Sequence, residues 1–129
     1  MYTLKLFLAS PTPISLELTE EEKDSVSNVL LDDKALIRWE RGSEVLCIRR
    51  EHLRGWVLLS RVENPKTKVM FIIDNTFVVL SLKGDLDPTV EESRDGAMLW
   101  KLENHVVWVR KDAFVGFYSQ PTTRTKDEK

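Results

Sequence analysis

One stretch of this chain occurs twice. Residues Val45 to Trp56 read V-L-C-I-R-R-E-H-L-R-G-W, and residues Val106 to Phe117 read V-V-W-V-R-K-D-A-F-V-G-F. A shift of 61 positions brings Trp39 onto Trp100, Val45 onto Val106, Arg49 onto Arg110 and Gly55 onto Gly116. It also aligns like with like at Ile48/Val109, Arg50/Lys111, Glu51/Asp112, Leu53/Phe114 and Trp56/Phe117. A unit that recurs at a fixed spacing points to a fold assembled from two related pieces. Each piece runs as a strand, a short turn, a large apolar residue aimed inward, then a strand entered through glycine. Glycine at that point allows a tight turn or a close approach to a neighbouring strand. The strands Val45–Ile48 and Val106–Val109 are apolar on both faces, which predicts that they are central, or else covered by the helix on one face and by the other repeat on the other.

The rest of the chain fits strands around one helix. Tyr2 to Ala9 alternates with period two, the Ser10-Pro-Thr-Pro13 segment breaks it, and Ile14 to Leu18 alternates again. Thr19-Glu-Glu-Glu22 has capping-box spacing, with three glutamates at the positive end of the helix dipole. A helix over 19–31 follows, with Val26, Val29 and Leu30 as its apolar stripe and Asp32-Asp33 as its end. Strands are predicted at Ala35–Trp39, Val45–Ile48 and Gly55–Val62. Val69–Ile73 and Thr76–Leu82 form a hairpin across Asp74-Asn75, or else one long strand. Gly84 to Gly96 is an acidic loop with at most one or two helical turns near Thr89. Met98–Leu102, Val106–Val109 and Val115–Ser119 repeat the three-strand pattern. The predicted fold class is α+β, mostly antiparallel β, as one domain over 1–119 with halves at about 14–62 and 69–119, and a flexible tail at 120–129.

Composition narrows the function classes. The chain of 129 residues carries 19 Lys+Arg against 21 Asp+Glu, so it lacks the strong positive charge that captures nucleic acid or anionic membrane in bulk. Its single cysteine, Cys47, allows no intrachain disulfide and fits a cytoplasmic location. Cys47 lies mid-strand among apolar neighbours and reads as a buried, inert thiol. Met1 to Ala9 has no signal-peptide core, and no apolar run approaches membrane-spanning length. His52 and His105 have no partner ligands at metal spacing, and no glycine-rich phosphate loop or nucleophile elbow is present. The acidic loop 84–96 lacks the glycine and terminal glutamate of a calcium loop. No cofactor, metal or catalytic residue is predicted.

Charge placement carries more. Lys34 to Lys68 holds nine basic residues against four acidic ones, six of the nine being arginine; Glu17 to Asp33 holds seven acidic residues and one lysine. Either the acidic helix neutralises the basic strands, or the arginines form a face for a partner. Arg38, Arg49, Arg50, Arg54 and Arg61 are the candidate partner-binding residues, because arginine makes bidentate contacts. Trp39 and Trp100 share strand parity with core residues. Trp56 and Trp108 are the better candidates for exposed anchors, since aromatic and arginine side chains together compose interface hot spots.

The capped helix, two strands, helical turn and Leu-x-Gly-aromatic strand over 14–60, and in degraded form over 76–119, resemble small helix-plus-β modules in short proteins of bacteriophages and bacterial mobile elements. The resemblance implies a class of protein and no particular mechanism. The expectation is a non-enzymatic cytoplasmic protein that docks on another protein and modulates or inhibits it. A nucleic-acid binder using the arginine-rich first repeat is the alternative, and a self-assembling structural subunit is a further one.

Overall fold

The computed structural model describes residues 1–9, 13–32, 34–84, 96–122 and, by backbone alone, 89–92. The expectations for Ser10 to Thr12, Asp33, most of the acidic loop and the tail beyond Thr122 lie outside the described residues. The chain runs β1 (Tyr2–Leu8), β2 (Ile14–Leu18), α1 (Glu20–Leu31), β3 (Leu36–Arg41), β4 (Glu44–Arg49), a 3-10 turn (Arg50–His52), β5 (Leu53–Ser60), β6 (Thr67–Ile73), β7 (Thr76–Leu82), β8 (Thr89–Glu92), β9 (Ala97–Leu102), β10 (His105–Arg110) and β11 (Phe114–Pro121). The architecture is α+β and dominated by antiparallel strands.

A six-stranded sheet, ordered β2-β1-β5-β10-β9-β8, forms the middle layer. Alternation along its strands sends side chains to two separate cores. On one face Leu4, Leu6, Trp56, Leu58 and Trp108 meet Val26 and Leu30 of α1 and Ile37, Trp39, Leu46 and Ile48 of the β3–β4 hairpin. On the other, Phe7, Val57, Trp100, Leu102, Val107 and Val109 meet Val69, Phe71, Ile73, Val78 and Leu80 of a three-stranded sheet, β11-β6-β7. Phe71, Trp100, Phe114 and Phe117 form an aromatic cluster there, with ring centroids 5.5 to 6.2 Å apart.

Local chemistry explains most of the element ends. Thr19 Oγ1 accepts from the Glu22 N–H and Glu22 returns the bond to the Thr19 N–H, so the predicted capping box is present. Asp74 takes the left-handed conformation (φ 53°) in the β6–β7 turn, which makes this segment a hairpin and not one strand. Gly42 and Glu103 hold equivalent left-handed positions (both φ 57°) in the β3–β4 and β9–β10 hairpins.

Two expectations need correction here. Thr89–Glu92 is strand β8, not a helical turn: the adjacent β9 offers an open edge, and backbone pairing on it outweighs a weak capping signal. Val106–Val109 is central as predicted, but Val45–Ile48 is not. Among the described residues β4 pairs with β3 alone, and its outward residues Val45 and Cys47 are exposed. Apolar residues on both faces of a strand indicate what it can cover, not what covers it in the single chain.

Candidate docking surfaces

The five candidate arginines do not share a face. Arg50 folds back on the C-terminus of α1, donating to the carbonyls of Leu30 at 2.8 Å, Val29 at 3.3 Å and Lys34 at 2.5 Å. It supplies donors to the last turn of α1, where the Val29 carbonyl also accepts from the Asp32 N–H, and complements the negative end of the dipole. Arg54 sits in the bulge of β5 and spans to Asp74 at 3.0 Å and Asp112 at 3.5 Å, tying β5 to the β6–β7 turn and to the turn before β11. Hydrogen bonding to Asp74 raises its pKa further, so it is charged at any working pH. Arg61 lies at the far end of β5, where it lines a cleft of about 400 Å³ with Glu63, Lys83, Glu103 and Asn104. Only Arg38 and Arg49 come together, on the outer face of the β3–β4 hairpin, and each has an acidic neighbour: Glu40 at 2.7 Å and Glu51 at 3.8 Å.

The acidic helix meets basic side chains at its two ends. Arg50 holds the C-terminus, and Arg41 reaches Glu22 at 3.2 Å and the Glu17 carbonyl at 2.6 Å near the N-terminus. Backbone bonding at Thr19, then Arg41, holds the Glu22 carboxyl below its usual pKa.

The aromatic candidates are misplaced by the sequence reading. Trp56 is 1% exposed and Trp108 is 5% exposed, side by side in the β5–β10 pairing, so neither indole is available as a surface anchor. Cys47, read as buried, is exposed on the outer face of β4. Both errors have one cause. Neighbours in sequence mark a strand as apolar, whereas burial depends on which strand lies alongside.

The apolar surface that the sequence reading missed lies on the outer face of β11-β6-β7. Cross-strand pairing lines up Tyr118, Met70 and Val79 in one row and Ile72 beside Phe77 in the next. Phe77 is 57% exposed, Val79 42% and Tyr118 60%. Lys68, Met70, Val79, Tyr118 and Gln120 border a shallow groove of about 180 Å³. The signal was present in the sequence: Val69–Ile73 and Phe77–Leu80 are apolar at both parities. A two-sided apolar hairpin that ends up on the outside leaves one face bare.

His105 is the one buried titratable side chain among the described residues. Its Nδ1 accepts from the Ser60 N–H at 3.0 Å and its Nε2 donates to the Ser81 carbonyl at 2.7 Å, which links the middle sheet to β7. Burial lowers its pKa, against the Ser81 bond and the charge of Glu103. Glu103 is itself held below its usual pKa, because the N–H groups of Lys83 and Gly84 outweigh its partial desolvation. Both polar positions on the His105 ring are used within the fold, so it serves as a fastener between layers. Among the described residues no three His, Cys, Asp or Glu side chains are grouped to hold a metal ion, and no helix is long and apolar enough to cross a membrane.

No protein-family model, curated protein or solved structure matches this chain.

Proposed function

We propose that this protein acts by docking on another protein through the outer face of β11-β6-β7, with no bond-making chemistry of its own. The observation that carries the reading is the pair of apolar rows built on Tyr118, Met70, Val79, Ile72 and Phe77. Exposed contiguous apolar surface of this kind marks interaction sites on soluble proteins. The partner surface is itself apolar and offers carboxylates or carbonyls to Lys68 and the Tyr118 hydroxyl at its edge. The test compares wild type with Phe77→Ser/Val79→Lys. Both residues point to solvent, so the fold tolerates the change. A partner retained by wild type and by Arg38→Glu/Arg49→Glu, but lost by the Phe77/Val79 variant, supports the reading. Equal capture by the Phe77/Val79 variant overturns it. Salt-sensitive retention on heparin that the arginine reversal abolishes favours the nucleic-acid alternative.

The scaffold behind this face is a doubled unit in our reading. The support comes from strand register. Pairs in β3–β4, from Leu36↔Arg49 to Arg41↔Glu44, become those of β9–β10 on adding 61 to each number. Pairs in β1–β5 become those of β6–β11 on adding 65 along β1 and 61 along β5, including the irregularity that sets aside Arg54 in one and Val115 in the other. Pairs in β1–β2 find their counterparts in β6–β7. The N-terminal unit carries α1 where the C-terminal one carries β8 and its flanking segments.

A further inference from the structure

The joint between the two units is built from unlike edges. β5 contributes the edge that β1 leaves open, and β10 the edge that β9 leaves open. They pair as Val106↔Leu58, Val107↔Val57, Trp108↔Trp56 and Val109↔Gly55. A joint between two different surfaces is heterologous. If the chain is a doubled unit, on which this inference rests, each unit owns one edge of each kind, and the joint uses only half of them. The unused pair is open among the described residues: there β11, the counterpart of β5, pairs with β6 alone, and β4, the counterpart of β10, pairs with β3 alone.

The geometry points to a second copy of this chain as the occupant, with β11 of one copy pairing antiparallel to β4 of the next. Shifting the joint's register by 61 positions gives Val45↔Ser119, Leu46↔Tyr118, Cys47↔Phe117 and Ile48↔Gly116 across the two copies.

Three features of the open edges match an unfilled joint. First, the residues buried by the joint have exposed counterparts. Val57 is fully buried in the second core and Trp108 nearly so in the first, whereas Tyr118 is 60% exposed and Cys47 is open to solvent. Second, the place that Val57 fills has an empty counterpart. Val57 clusters with Val78, Leu80, Trp100 and Val107. The counterparts of those four, Ile14, Leu16, Trp39 and Leu46, line a mainly apolar groove of about 260 Å³ beside β4. Tyr118, the counterpart of Val57, is the side chain that would enter it. Third, the glycine of the joint is repeated without a use in the single chain. A Cβ on Gly55 would meet the Trp108 carbonyl oxygen at 2.9 Å, whereas one on Gly116 would meet nothing within 4 Å. In the paired copies Gly116 faces the Cys47 carbonyl as Gly55 faces that of Trp108.

Because the open edges are unlike, pairing does not end at two copies. Each added copy presents a fresh β4 or β11, and the assembly grows until a ring closes. This assembly takes Tyr118 out of the apolar outer face and leaves Phe77 and Val79 of β7 exposed.

The test is sedimentation of the full chain over a concentration series. The expected result is a mass that rises with concentration from 15.0 kDa through and beyond the dimer. Phe117→Cys places a thiol opposite Cys47 of the next copy, at a cross-strand separation that disulfides accept. Oxidation then gives a ladder of trimers and larger species on a non-reducing gel, whereas wild type, with Cys47 alone, gives dimers at most. Gly116→Ala keeps the fold, judged by circular dichroism, and weakens association at least tenfold. A single 15.0 kDa species up to about 1 mM overturns the proposal, as does a Phe117→Cys sample that stops at dimers or a Gly116→Ala protein that associates as well as wild type. Backbone contacts of the matched pairs Trp39–Leu46 and Trp100–Val107, read by NMR on the same protein, separate the two failures. If they are absent the doubled-unit reading falls, and if they are present in a persistent monomer only the second-copy proposal falls.

Discussion

Replacing Gly55 by alanine tests the central joint directly, because the chain contains its own control. The added methyl would sit 2.9 Å from the Trp108 carbonyl oxygen and 3.4 Å from Val109 Cα and Cγ2. The nearest atom is backbone in the middle of a sheet packed on both faces, so it cannot swing aside as a flexible side chain would. Relief requires β5 and β10 to part by a few tenths of an ångström, which disturbs both cores. Overpacking of this kind costs about 1–3 kcal/mol. Alanine also gains about 0.5–1 kcal/mol over glycine in a strand interior. Gly116→Ala carries that gain with no clash, since nothing lies within 4 Å. The difference between the two variants therefore isolates the steric cost of the joint. Urea unfolding at low protein concentration, where association adds nothing, should separate their midpoints by about 0.5–2 M, with Gly116→Ala at or above wild type. Equal midpoints for the two variants, or a Gly55→Ala protein as stable as wild type, would refute the argument that close strand approach is what glycine provides at position 55.

Two further outcomes follow from side chains that fasten the layers. Arg50→Ala removes the guanidinium from the Val29 and Leu30 carbonyls of α1 and from that of Lys34 just beyond it and should cost about 2–3 kcal/mol, whereas Arg38→Ala, at an exposed pair, should change stability by less than about 1 kcal/mol; thermal or urea unfolding of both variants checks the contrast. His105 gives a pH signature. Its folded pKa lies below the ordinary 6.5, so its contribution is complete above pH 6.5 and is lost as pH falls from there toward the folded value. Unfolding midpoints of wild type should decline between pH 7 and about 5, ahead of the further loss expected below the ordinary 4.5 of Glu103, and His105→Gln should flatten the first of these declines. A histidine variant with an unchanged slope between pH 7 and 5 would remove His105 as the source.

The candidate site was less legible than the fold. Thr19, Glu22 and the stripe of Val26 and Leu30 mark α1 because capping and helical periodicity are local effects. Asp74 marks the β6–β7 turn for the same reason, through a left-handed backbone that its type tolerates. Arg50 and Arg54 hold acceptors 16 to 21 and 20 to 58 positions away, which local pattern does not reveal. Trp56 is buried and Cys47 exposed because β5 has a neighbour on each side and β4, among the described residues, on one. The bare rows at Phe77 and Tyr118 become visible only once β6 and β7 are known to lie outside the middle sheet.

Local pattern marks α1 and its cap, the strands other than β8, and the 61-residue echo between Val45–Trp56 and Val106–Phe117. These follow from short-range sterics and hydrogen bonding, which act within a few residues. Only the tertiary structure decided which apolar faces are covered. That outcome depends on which edge meets which: β5 closes on β10, while among the described residues β4 and β11 each pair on one side, so strands of similar sequence are core in one place and surface in another.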